Sequence, residues 1–212
     1  MTSESPFSPA YPVNLVLSGR RCVVVGGGSV AARKVDGLLA AGAEVVVVAP
    51  EVQTAVRDLA GVTVAEREYR PGDLEGAWLV VAATDDPEVN RRVHSDCEAA
   101  RIWVNAVDDP PACSFTLPAV VRQGPVVVAV STSGHSPALA AWIRGRVAEQ
   151  LGPEVALLAE WLSEAREEMK ATGRSTEEVD WRTALDSDIF ELIRTGQVAL
   201  ARERLQACLS SQ

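Results

Sequence analysis

Along the first half of the chain, short runs of β-branched residues alternate with stretches of helical period. Residues 21–25 read as a strand that runs into Gly26-Gly27-Gly28. Residues 29–41 then place Val30, Leu38 and Leu39 at helical spacing, and Gly42 supplies a stop. Four more strands are expected at 44–48, 62–65, 77–82 and 102–105. A weaker helix is expected at 52–59 and a longer one at 87–100, where Asp85 or Asp86 serves as cap and Pro87 stands in the first turn. The strand at 44–48 is almost wholly apolar, as a strand must be when helices cover both faces of a parallel sheet. The alternation implies an α/β fold with a doubly wound parallel sheet.

The pattern changes near Asp108. Asp108-Asp109-Pro110-Pro111 reads as a turn, and residues 114–117 and 125–131 as two extended strands joined through 118–124. A helix is expected from 137 to about 151. Beyond Gly152-Pro153 the chain reads as helical, acidic and arginine-rich, with Leu157, Leu158, Trp161 and Leu162 as an apolar stripe and further helical pieces at 189–193 and 198–209. Boundaries near 113 and 151 divide the chain into 1–113, 114–150 and a small helical domain, 151–212.

Composition narrows the functional classes. The 212 residues are 47% hydrophobic and 23% charged, enough apolar material for a core. A net charge of −9 argues against a nucleic-acid partner, which would demand a basic surplus. Cys22, Cys97, Cys113 and Cys208 stand far apart, with neither zinc-knuckle nor redox spacing, and read as reduced thiols. The polar, proline-containing start lacks the marks of a secretory signal, and the apolar runs are too short to span a bilayer. A cytoplasmic protein with no membrane association is the expectation.

Gly26-Gly27-Gly28-Ser29-Val30-Ala31 fits the G-x-G-x-x-A pattern between a strand and a helix. Gly26 permits the tight turn, Gly28 lets backbone approach a pyrophosphate, and Ala31 lets the helix sit close to the sheet. Ser29 and Val30 open the helix, whose free amides face the phosphate charge. The first domain is thus expected to be a Rossmann-type NAD site. Its second strand ends at Pro50-Glu51, where Glu51 is about far enough along for a ribose contact, and no arginine stands there for a 2′-phosphate. Thr84 and Asp85 end the fourth strand at the ligand edge, where capping is the competing duty for Asp85 and Asp86.

Asp108 follows the fifth strand at the same edge. A carboxylate there can take the proton released when hydride leaves a carbon framework, or it can simply form the turn before Asp-Pro-Pro. Ser131-Thr132-Ser133-Gly134-His135 leads into Ser136-Pro137, a helix start suited to substrate carboxylates. Arg144 and Arg146 can add charge, whereas a well-capped helix is the plainer alternative. His94 reads as structural, and no metal-ligand cluster is expected.

Taken as a set, these segments resemble the precorrin-2 dehydrogenase and sirohydrochlorin ferrochelatase family, which also forms the N-terminal part of siroheme synthases. The segments that carry the likeness are Pro12-Val13-Asn14-Leu15, the glycine motif through Arg33-Lys34 and Ala82-Ala83-Thr84-Asp85-Asp86. Asn105-Ala106-Val107-Asp108, Ser114-Phe115-Thr116-Leu117-Pro118 and Val130-Ser131-Thr132-Ser133-Gly134 follow in family order. The resemblance implies a Rossmann domain, a dimerisation and substrate-binding segment at 114–150, and a small α-helical domain. It implies a cytoplasmic homodimer that oxidises a tetrapyrrole, precorrin-2, to sirohydrochlorin with NAD, with Asp108 as the key aspartate and ferrous iron insertion as a second activity of some members. His135 departs from the family pattern, which has a smaller residue there. A methyltransferase module is not expected after the helical segment, so the expectation is a consumer rather than a maker of precorrin-2. Two other readings stay open: a non-catalytic NAD-sensing module, and a dehydrogenase of a smaller hydroxy or amino acid.

Overall fold

The computed structural model describes residues 10–177 and 179–210, and residues 1–9 of the polar start lie outside them. The described chain forms two compact units, 10–117 and 118–210.

The first unit is built on five parallel strands in the order β3-β2-β1-β4-β5. They are β1 (Arg21–Val25), β2 (Glu44–Ala49), β3 (Val62–Glu66), β4 (Leu79–Ala82) and β5 (Trp103–Ala106), and the helices are α1 (Ser29–Leu39), α2 (Thr54–Arg57) and α3 (Pro87–Ala100). Side chains alternate across a strand, so β1 sends Cys22 and Val24 into one core and Val23 and Val25 into another. The first core collects Ala31, Val35 and Leu38 of α1, and the second Val93 and Cys97 of α3. With both faces covered, every position of β4 is buried, which explains its unbroken apolar run. Because β1 pairs with both β2 and β4, the strand order reverses at its carboxyl end. Ligands of open α/β sheets bind in the crevice at such a reversal.

The second unit holds an antiparallel hairpin and five helices. The hairpin strands are β6 (Ala119–Gln123) and β7 (Val126–Val130), and the helices are α4 (Pro137–Gln150), α5 (Pro153–Ala171), α6 (Trp181–Leu185), α7 (Ile189–Arg194) and α8 (Val198–Ser210). The expected stripe behaves as a core: Leu158 and Trp161 are buried against Ile189, Ala201 and Leu205, with Leu157 and Leu162 half-buried beside them.

The structure moves one element. Residues 114–117 form no strand, and the stretch 118–124 expected as a connection carries β6 instead. The cause is twofold. Ser114 is bonded through backbone and hydroxyl to Val104, which removes it from any new ladder. Ala119–Gln123 meets β7 in register across a tight turn at Gly124-Pro125, with Gly124 at φ +55.

Candidate dinucleotide site and the Asp108 turn

The three glycines after β1 have three different reasons to be there. Gly26 sits at φ +129, and a Cβ on it would lie inside the contact radius of the Ala83 carbonyl at the end of β4. A Cβ on Gly27 would overlap the Glu51 carbonyl after β2. These two let the first turn nest between the ends of both neighbouring strands, and Gln53 N donates to Gly27 O at 2.9 Å to close the nest. Gly28 is the opposite case: a Cβ there would meet nothing within 4 Å. The space it leaves opens on the amino end of α1.

That helix end is bare. Gly28 occupies the cap position, no side chain accepts from the first amides, and no acid stands in the first turn. An uncapped helix N-terminus leaves backbone donors and a partial positive charge available. A pyrophosphate supplies what this end lacks, so the residues present fit a dinucleotide. Gly26, Gly28, Ser29, Val30 and Ala31 line this end of the helix and its turn, with Ala31 buried. Pro50 and Glu51 are exposed at the end of β2, on the same rim.

At the end of β4, Thr84 is occupied by its own neighbourhood. Its hydroxyl lies 2.8 Å from Asn90 Oδ1 and 3.0 Å from the Asp86 carbonyl, and Asn90 Nδ2 donates to Thr84 O at 2.9 Å. The capping question resolves in favour of Asp86, whose carboxylate accepts from Glu88 N at 2.8 Å. Asp85 stays exposed on the rim.

Asp108 is exposed and sits at φ +60, a left-handed conformation that aspartate tolerates better than most residues. A bracket holds it there. Asn105 is buried and donates through Nδ2 to Phe115 O at 3.0 Å and towards Cys113 Sγ at 3.5 Å. The Cys113 thiol has the Ala106 and Asp109 carbonyls at 3.2 and 3.3 Å as acceptors, and burial pushes that thiol up from its ordinary value. Ser114 Oγ accepts from Val104 N at 2.7 Å, while Val107 N donates to Ala82 O, tying the loop back to β4 and β5. Both ends of the excursion from β5 are thus stapled, and Asp108 stands on the arc between them. Left-handed residues held by their surroundings concentrate at functional sites.

Ser131, Thr132, Ser133, Gly134 and His135 belong to the second unit. Ser133 and Gly134 are both left-handed, at φ +50 and +85. Thr132 Oγ1 accepts from Ser136 N at 3.0 Å, Ser131 Oγ accepts from Ser133 N at 3.1 Å, and His135 Nδ1 lies 2.9 Å from Thr132 O. Ser136 then caps α4 by accepting from Leu139 N.

Several residues that shape this region escaped the reading of the sequence. Gly27 matters as much as its neighbours, and the run of three glycines was its signal. Asn90 and Cys113 act through contacts that no local pattern announces.

Comparison with known proteins agrees with this geometry. Residues 13–119 match the NAD(P)-binding family model, and residues 123–150 match the model for the central region of the sirohaem biosynthesis protein. The chain belongs to the precorrin-2 dehydrogenase and siroheme synthase family. It is 39% identical to the siroheme synthase of Methylobacillus flagellatus over 95% of its own length and 44% of that protein's. Identity is 40% to the siroheme synthase of Chromobacterium violaceum, over 92% of this chain and 43% of the relative. The chain therefore spans less than half the length of these relatives. Among solved structures, SirC, a precorrin-2 dehydrogenase, superposes with a TM-score of 0.75 and 28% identity, covering 94% of this chain and 98% of SirC. No helix among the described residues is long and apolar enough to cross a membrane.

Proposed function

We propose that this chain oxidises precorrin-2 to sirohydrochlorin, transferring a hydride to NAD⁺ in siroheme biosynthesis. The likeness to SirC over nearly the full length of both chains carries this reading. It is supported by the uncapped α1 terminus behind Gly28 and by the left-handed Asp108 on the same side of the sheet.

In this mechanism the glycine turn and the amides of Ser29, Val30 and Ala31 would hold the pyrophosphate, and Pro50 and Glu51 would contact the adenosine ribose. Thr84 and Asp85 would contribute from the end of β4. The dinucleotide supplies the hydride acceptor. Asp108 takes the proton that leaves the macrocycle as the hydride departs, its carboxylate being exposed on the arc that the bracket beneath it holds in place. Ser131, Thr132, Ser133, Gly134 and His135 bind carboxylates of the tetrapyrrole. The three-part division at 113 and 150 and a cytoplasmic homodimer through the middle segment belong to the same proposal. Leu139 and Trp142 of α4 and Val127 of β7 are exposed, as an unpaired dimer face would be.

The test is an anaerobic, metal-free assay with precorrin-2, following the visible spectrum with NAD⁺, NADP⁺ or neither. NAD⁺-dependent formation of sirohydrochlorin is expected, and an intact precorrin-2 spectrum over a folded protein would overturn the reading. The variant Asp108→Ala is expected to keep NAD affinity and lose about 10²- to 10⁴-fold in turnover. Parental turnover in that variant would remove Asp108 from the chemistry, and unaltered behaviour in every assay would point to an NAD-sensing module.

A further inference from the structure

Residue order puts no arginine directly at the end of β2, yet the fold brings one there. Arg57 is the last residue of α2, and its Nε donates to the Val52 carbonyl at 3.1 Å. Val52 follows Glu51 in the segment clasped to the glycine turn. A Cβ on Gly27 would lie 2.8 Å from Val52 Cα, and Gln53 N donates to Gly27 O. Val52 and Val56 are both buried in the first core, which fixes the short helix and the segment before it. The guanidinium is therefore tied to the same few residues on which the glycine turn rests.

A second strand end completes the arrangement. Arg57 Nη1 is ion-paired with Glu66 Oε1, and Glu66 closes β3 opposite Ala49, the last residue of β2. Both side chains are half-exposed, so a ligand can reach them. In dinucleotide-binding sheets the end of the second strand faces the adenosine ribose. An acid there takes the ribose hydroxyls, whereas an arginine nearby takes a 2′-phosphate. Arginine suits the phosphate because its planar fork of donors matches the phosphate oxygens. In this chain the fork is already engaged, at Nε by a backbone carbonyl and at Nη1 by a carboxylate. Glu51, exposed one residue before Val52, adds a second carboxylate to this edge.

We propose that the Arg57–Glu66 pair is a specificity determinant of the dinucleotide site: Glu66 occupies the guanidinium that would otherwise take a 2′-phosphate, so the site selects NAD over NADP. The proposal rests on the reading of the α1 terminus as the dinucleotide site and on no step of the oxidation. A 2′-phosphate brought to this edge must break the ion pair to gain the fork, and it then stands beside the displaced Glu66 carboxylate as a second anion. Free ribose hydroxyls meet neither obstacle, because they donate to carboxylates. The selectivity comes as much from what Glu66 denies the competing ligand as from what the site offers the preferred one.

Calorimetric titration of the full chain with NAD⁺, NADP⁺ and 2′,5′-ADP tests it without any tetrapyrrole. The parent is expected to bind NADP⁺ about tenfold or more weakly than NAD⁺. Glu66→Gln keeps the side-chain shape and releases Arg57. NADP⁺ and 2′,5′-ADP should then bind about tenfold more tightly than to the parent, with NAD⁺ within about twofold. Adding Arg57→Met to that variant should remove most of the gain, and raised salt should shrink it. A Glu66→Gln protein that binds the 2′-phosphate ligands no better than the parent overturns the assignment. So does a double variant that keeps the whole gain, which would trace the discrimination to the Glu66 charge alone, and so does a parent that binds both dinucleotides equally. A parent that binds neither sinks the cofactor site and this role with it, whereas failure of the precorrin-2 assay alone leaves these affinities valid.

Discussion

Two helices of this protein start from turns rich in small residues, and they treat their first amides in opposite ways. α4 closes its own end: Ser136 accepts from Leu139 N at 3.1 Å, and the Thr132 hydroxyl is bonded to Ser136 N. α1 has Gly28 where α4 has serine, and no side chain reaches its amides. A serine cap contributes about 1 kcal/mol, so a helix without one forgoes local stability. The sheet makes up for it, because α1 buries Ala31, Val35 and Leu38 in the first core of that unit. A terminus without a side-chain cap leaves its amides open, and the proposed dinucleotide would meet them there. The α4 turn presents a different surface, made of left-handed backbone and hydroxyls already bonded within the turn.

The contrast can be broken at several points. The largest effect is expected from Gly28→Asp, which places a carboxylate where the pyrophosphate belongs. NAD affinity should fall at least ~100-fold by calorimetry, with the fold intact because a Cβ there meets nothing within 4 Å. Unchanged affinity would move the dinucleotide elsewhere. Gly27→Ala should show the converse, since its methyl meets the Glu51 carbonyl and the β2–α2 connection must shift. A loss of about 2 kcal/mol in urea unfolding is expected, with weaker NAD binding as its consequence. Ser136→Ala should cost about 1 kcal/mol in stability of the second unit while NAD affinity stays parental. A drop in NAD affinity there would contradict the different duties assigned to the two termini.

The smallest effect serves as a control away from both helices. Arg67 donates to Asp73 at 2.9 Å and Arg70 N donates to the same carboxylate at 2.8 Å, which hold that carboxyl below the usual carboxylate range. A carboxyl depressed in the folded state adds stability above its unfolded value, and the gain disappears as pH falls through the folded one. Asp73→Asn should therefore be less stable than the parent by ~1 kcal/mol or less at pH 7, because Arg67 is partly exposed and screened by water. Urea midpoints should converge as pH falls below the usual carboxylate range, and a constant gap across pH would show that the ion pair is not its source.

Much of this molecule was legible in its residue order. The strands of the first unit announced themselves because both faces are buried, which forces apolar residues at every position, as at Leu79–Ala82. The caps at Asp86 and Ser136 were readable because a capping side chain reaches only two or three residues along. The hairpin was misplaced because a strand is a pairing as much as a propensity. Residues 114–117 are as extended in composition as 119–123, but only the latter find a partner strand.

Residue order alone thus determined the alternation of strands and helices, the glycine turn after β1 and the presence of an aspartate after β5, all matters of neighbours along the chain. Tertiary structure alone decided the rest. It set Gly26 against Ala83 and Gly27 against Glu51, and held Asp108 in a left-handed turn beneath which Asn105 and Cys113 meet. The physical reason is distance along the chain: local propensity acts over a few residues, whereas these contacts join segments that only the strand order 3-2-1-4-5 makes adjacent.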